Sequence, residues 1–139
     1  MVASRGHIID AIPHIPLIVD KEIETIDKTR ELRDVLQALG VWNDILRVRN
    51  NVKTVGSKAS WRGRRVKRRV GPLIVYHEDN GIVKAARNIM GVDVISASDV
   101  SLIHLAPGGH AGRLVIWVED VFPILEERLK DVIRRYVVI

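Results

Sequence analysis

The sequence predicts an α/β fold: a three-layer, Rossmann-like arrangement with a mostly parallel sheet of about four strands flanked by helices. Two observations carry this expectation. Four short β-branched runs alternate with helical periodicities, the pattern of repeated βαβ units. The composition is 47% hydrophobic but only 4% aromatic, the aliphatic bias of strands buried on both faces.

The first strand is Leu17-Ile18-Val19, entered through Pro16, where the missing N–H is least costly. Leu32, Val35, Leu36 and Leu39 follow the i, i+3, i+4, i+7 rule of an amphipathic helix, with Asp27 as the expected N-cap and Gly40 as the stop. A second short helix is expected from Val41 to Val48. The second strand, Leu73 to Tyr76, is entered through Pro72. Asp79 or Asn80 can cap a helix running from Gly81 to Met90, closed by Gly91. Val92 to Ile95 and Arg113 to Val118 complete the strands. A last helix starts near Asp120, with Phe122, Leu125, Leu129, Val132, Ile133 and Tyr136 as its apolar stripe. These elements are expected to form one domain over 1–139, the size at which a single core can be buried.

Charge is the second organising feature. The net charge is only +5, yet residues 47–69 hold ten basic side chains and no acid. They are Arg47, Arg49, Lys53, Lys58, Arg62, Arg64, Arg65, Lys67, Arg68 and Arg69. The rest of the chain carries 12 basic against 17 acidic residues, so one segment makes the protein basic. Such a block repels itself and gains stability when a polyanion neutralises it. Most of it falls in a long polar loop expected from about 50 to 70. Arginine outnumbers lysine there, and guanidinium grips phosphate oxygens with two parallel hydrogen bonds. Gly56 and Gly63 are expected to let the backbone follow an irregular surface, and Trp61 offers a face for an unstacked base. About 4–7 phosphates neutralised would give a salt slope of roughly −3 to −5, at about −0.7 per contact. An anionic membrane is the weaker partner, because the loop lacks the apolar stripe of an interfacial helix.

Catalysis finds little support. With no cysteine, thiolate nucleophiles, disulfides and Cys-based zinc sites are excluded, and a reducing cytosol fits. The glycine-rich stretch Leu105 to Gly112 leads into a strand rather than a helix, so it is not a dinucleotide cradle. His7, His14, His77, His104 and His110 are scattered without metal-ligand spacing. His77-Glu78-Asp79 follows a strand, where α/β active sites often lie, but a loop capping the next helix explains it as well. No cofactor, metal, small-molecule substrate or membrane partner is expected.

The ordered motifs of the chain resemble one family, the fourth protein of the large ribosomal subunit in its archaeal and eukaryotic form. Ser4-Arg5-Gly6-His7-Ile8-Ile9, Ile15-Pro16-Leu17-Ile18-Val19 and Trp42-Asn43-Asp44-Ile45 carry the resemblance in the first third. Arg62-Gly63-Arg64-Arg65, Gly71-Pro72-Leu73-Ile74-Val75 and Glu78-Asp79-Asn80-Gly81-Ile82 continue it. Lys84-Ala85-Ala86-Arg87-Asn88-Ile89 and the run from Leu105 to Leu114 complete it. The resemblance implies a non-catalytic, cytoplasmic, ribosome-associated protein whose partners are large-subunit rRNA and neighbouring ribosomal proteins. It makes Lys84, Arg87, Asn88 and His110 secondary RNA-contact candidates. It also implies that the chain corresponds to the C-terminal part of the family domain, without the tunnel loop and first strand, leaving surface through which the fragment could self-associate. The chain departs from the family at Val55 to Trp61, where a run alternating lysine and glycine is usual. The alternative is a truncated or repurposed α/β module acting off the ribosome, in protein interaction or translational regulation.

Overall fold

The computed structural model describes residues 1–136, with side-chain environments through residue 130. Its main sheet is built from β1 (Leu17–Val19), β4 (Leu73–Tyr76), β5 (Asp93–Ser96) and β6 (Val115–Val118), in the order β1-β6-β4-β5. Every neighbouring pair is parallel. A second, antiparallel pair joins β2 (Lys53–Thr54) to β3 (Val66–Lys67). The helices are α1 (Thr29–Ala38), α2 (Trp42–Asn50), α3 (Ser57–Trp61), α4 (Ile82–Ala86), α5 (Leu102–Leu105) and α6 (Val121–Tyr136). The predicted three-layer α/β class and all four main strands are therefore present, β1 and β4 at the expected bounds and β5 and β6 with ends shifted by one or two residues.

The central strands explain the aliphatic bias. Leu73, Ile74 and Val75 of β4 are all fully buried, so the strand reads as a continuous apolar run instead of an alternation. Leu32 and Leu36 of α1 and Val48 of α2 are likewise sealed. Helix α1 stops where expected. Gly40 takes φ 75°, Gly40 N–H donates to the Gln37 carbonyl at 3.0 Å and Val41 N–H to the Leu36 carbonyl at 3.1 Å. That is a Schellman closure, which needs a left-handed residue. A Cβ at Gly40 would also lie 2.2 Å from the Ala11 carbonyl oxygen.

Several local expectations are corrected. Lys28, not Asp27, precedes α1, and it caps nothing with its side chain; it pairs with Glu31 at 3.0 Å. Asp79 does cap α4, accepting from Gly81 N–H at 3.2 Å and Val83 N–H at 3.4 Å. That helix ends at Ala86 rather than Met90. Asn88 falls in the following turn, a position its side chain favours over a helix interior. On α6, Phe122 and Leu129 are exposed, so the expected apolar stripe is not continuously buried; the side chains of Val132, Ile133 and Tyr136 lie outside the described ones.

Candidate nucleic-acid interface

The basic segment is a hairpin, not a structureless loop. Strands β2 and β3 pair Lys53 with Lys67 and Thr54 with Val66, Val55 N–H donates to the Arg65 carbonyl at 2.9 Å, and α3 forms the tip. Gly63 closes α3 as Gly40 closes α1. It takes φ 74°, donating to Ser60 at 3.0 Å while Arg64 N–H reaches Ala59 at 2.9 Å. The reversal sends Arg64 and Arg65 away from the helix into β3. Gly56, with φ −62°, takes a backbone conformation open to any residue.

Nine of the ten cations are exposed and, among the described residues, have no acidic partner. Lys53 and Lys67 stand directly opposite one another, and like charges across an antiparallel pair destabilise it. Few internal forces hold this hairpin in its charged state. A polyanion would relieve the repulsion. Trp61, at the end of α3, is 91% exposed and shares a depression with Lys58 and Arg62.

Arg47 is the exception. Its Nε donates to Asp44 Oδ1 at 2.8 Å and its Nη2 to the Val70 carbonyl at 2.9 Å. Unlike the other nine cations, it is therefore tied into the scaffold. Asp44 is wholly buried and also accepts from Ile8 N–H at 3.0 Å and faces His7 Nδ1 at 2.8 Å. Arg47 Nη2 lies 3.3 Å from the same His7 nitrogen. A guanidinium only donates and a carboxylate only accepts, so the Nδ1 proton belongs on the Asp44 side. Burial pushes the Asp44 carboxyl up, but the hydrogen bonds from His7, Arg47 and Ile8 outweigh it and hold the group below its ordinary value. This knot fastens the N-terminal segment, α2 and the chain leaving the hairpin to one another.

Two other buried charges do structural work that spacing did not disclose. Arg113, expected at the start of a strand, is buried. It donates to the Gly71 carbonyl at 3.0 Å, the His104 carbonyl at 2.8 Å and the Asp93 carboxylate. Glu24, also fully buried, accepts from His77 N–H at 2.6 Å and Glu78 N–H at 3.4 Å. The His77-Glu78-Asp79 segment is thus held by a carboxylate on its backbone and caps α4 in turn. No cluster of His, Cys, Asp or Glu able to hold a metal occurs among the described residues. Among them, too, no helix is long and apolar enough to cross a membrane.

Of the secondary candidates, His110 joins the basic segment. It is exposed and lines, with Lys67, Arg68 and Arg69, a cleft of about 670 Å³ at the base of the hairpin. Arg5, Arg47 and Ala111 share that cleft; Arg5 was not singled out from the sequence, where it is one charge beside a glycine. Lys84 lies on α4 and Arg87 and Asn88 just beyond it. Arg87 lines a different depression, with Asp93 and His104.

The sequence model of the ribosomal protein L4/L1 family matches residues 7–128. The chain belongs to that family. Large ribosomal subunit protein uL4 of Saccharolobus islandicus (strain Y.N.15.51 / Yellowstone #2) is 45% identical to it over 129 residues, covering 92% of this chain and 48% of the relative. The same-named protein of Saccharolobus solfataricus is 44% identical over the same shares. Large ribosomal subunit protein uL4B of Schizosaccharomyces pombe is 42% identical over 126 residues, 91% of this chain and 35% of that one. The L4/L1 resemblance drawn from the ordered motifs is borne out, with archaeal and eukaryotic relatives alike. The chain spans about half the length of the archaeal relatives it matches. The knot and the hairpin tip, at Gly6-His7, Asp44 and Arg62 to Arg65, lie on motifs that carried the family resemblance.

Proposed function

We propose that this chain is a non-catalytic, structural component of the large ribosomal subunit that docks on large-subunit rRNA through the β2–β3 hairpin. The single observation behind this is the row of exposed cations, without acidic partners among the described residues, on a hairpin whose two strands repel each other at Lys53 and Lys67. Membership of the L4/L1 family supports the same reading. Arg49, Lys53, Lys58, Arg62, Arg64, Arg65, Lys67, Arg68 and Arg69 supply the phosphate contacts, and Trp61 the stacking face. Arg47 holds the base of the hairpin instead. Phosphate contacts fix orientation while RNA shape supplies the selectivity. Association with neighbouring ribosomal proteins and a cytoplasmic, ribosome-bound location follow from the same reading.

Binding of the purified chain to large-subunit rRNA across a salt series tests it. Log affinity against log salt should fall with a slope of roughly −3 to −5, at about −0.7 for each phosphate contact. The chain should also co-sediment with large subunits in low salt and leave them in high salt. A flat salt response, or no association at low ionic strength, would reject the assignment.

A further inference from the structure

The cleft at the base of the hairpin has a second wall that the cation run does not build. Arg5 ends the N-terminal 3-10 turn, Ala3–Arg5, and crosses to the turn Pro107–Gly109, where its Nη2 donates to the Pro107 carbonyl at 2.8 Å. Its Nη1 is buried and has no hydrogen-bond partner. Among the described residues it is the one buried side-chain nitrogen or oxygen left in that condition. Such groups almost always have a partner, and an exception calls for an explanation. Half of this guanidinium is committed to holding the turn. The other half is a donor pair without an acceptor.

Across the cleft stand Lys67, Arg68 and Arg69, all exposed, and no carboxylate contributes to the lining. The nearby Asp44 is already engaged by Arg47, His7 and the Ile8 N–H. On the turn side the rim is lined by Gly109, His110 and Ala111, so the imidazole is its one large side chain there. At about 670 Å³ the space is within the range of small-ligand pockets.

We propose that this cleft seats a phosphodiester group of the bound RNA, with Arg5 Nη1 donating from the turn side while Arg68 and Arg69 close from the hairpin. The proposal rests on the hairpin being the RNA-binding element and adds a second, independent wall to it. Nη1 is buried, so the contact requires neighbouring side chains to rearrange, and the exposed Lys67, Arg68 and Arg69 are long enough to do so. A phosphate oxygen then satisfies the orphaned donor with a charge-assisted bond. One consequence is geometric: the RNA backbone would be gripped between two segments far apart in sequence, which fixes the hairpin's direction relative to the sheet.

The test compares Arg5→Gln and Ala111→Glu with an Arg64→Ala/Arg65→Ala double variant, each as the full chain, in salt-series binding to large-subunit rRNA. Ala111→Glu leaves the Arg5–Pro107 bond in place and puts a carboxylate at the exposed rim, so it remains informative if Arg5→Gln disturbs the turn. Both cleft variants should make the slope shallower by about one contact, ~0.7, and weaken binding about fivefold at 0.1 M salt. In a second arm, the Arg5 guanidinium resonances of labelled protein are followed during titration with rRNA and, separately, with inorganic phosphate. They should move with rRNA at phosphate concentrations where the free ion leaves them unchanged. Wild-type affinity and slope for both cleft variants, with the hairpin variant weakened, would overturn the cleft proposal and leave the hairpin assignment standing. Equal response to the free ion would make this a simple anion site and also overturn it. If the hairpin variant binds normally as well, the RNA assignment itself falls.

Discussion

The main sheet and the hairpin are both β structure, yet they are stabilised in opposite ways. In β4 every side chain from Leu73 to Val75 is buried, so burial alone specifies the strand. In β2 and β3 all four residues are exposed, and two of them are lysines facing each other. The central strand finds its burial within the chain itself. The hairpin is held by a few backbone hydrogen bonds, a glycine-closed helical turn and the knot at its base. A folded core and an arm proposed to meet a partner therefore make different demands on sequence, and substitutions should separate them.

The largest separation is expected from replacing Arg64, Arg65, Arg68 and Arg69 together with alanine. If all four meet phosphates, rRNA affinity should drop by about 100-fold or more at 0.1 M salt, at roughly 0.7 log units per contact. The melting temperature should barely move, since exposed substitutions usually stay within about 0.5 kcal/mol. Filter binding and calorimetry on the same samples read the two quantities. A joint fall would mean that these arginines support the core, and the distinction between the regions would be lost.

Asp44→Ala should do the reverse. It strands Arg47 and His7 beside a cavity, and breaking a buried pair costs about 3–5 kcal/mol. Chemical denaturation should show that loss, with RNA binding weakened only through the hairpin's loosened base. Intact stability would show the knot to be incidental.

Smaller effects sharpen the contrast further. Trp61→Ala removes a side chain 91% exposed, so folding stability should be unchanged. Base stacking is worth about 1–3 kcal/mol, and binding to rRNA should weaken within that range. No change would confine RNA contact to charge. The pH response isolates the knot: the folded Asp44 carboxyl lies below its ordinary value of 3.8. Its contribution is thus present above that value and lost as pH falls through the folded one. The stability advantage of wild type over Asp44→Asn should shrink progressively below about pH 4. A pH-independent difference would show that the carboxylate's charge is irrelevant.

How much of this was legible in the sequence follows the same division. The β-branched runs located all four main strands because buried strands announce themselves by composition. Helix α1 was readable from Leu32, Leu36 and the glycine that ends it. The hairpin strands were not readable, since Lys53-Thr54 and Val66-Lys67 are too short and polar to show a period. Charge spacing does not reveal that Arg47, alone of the ten cations, is paired among the described residues with a buried Asp44 three residues earlier. His7, Glu24 and Arg113 act through partners 37, 53 and 42 residues away respectively, and no local window contains both ends. Arg5 escaped notice for the same reason, its bond to Pro107 spanning 102 residues.

Arg47 reaches Val70 and Asp44 at once, which has a thermodynamic corollary for assembly. An arm tethered at a defined angle before contact loses less orientational freedom on docking than one hinged at random. The buried carboxylate beneath it would then act on affinity without touching RNA, by narrowing the set of directions the cations explore in solution.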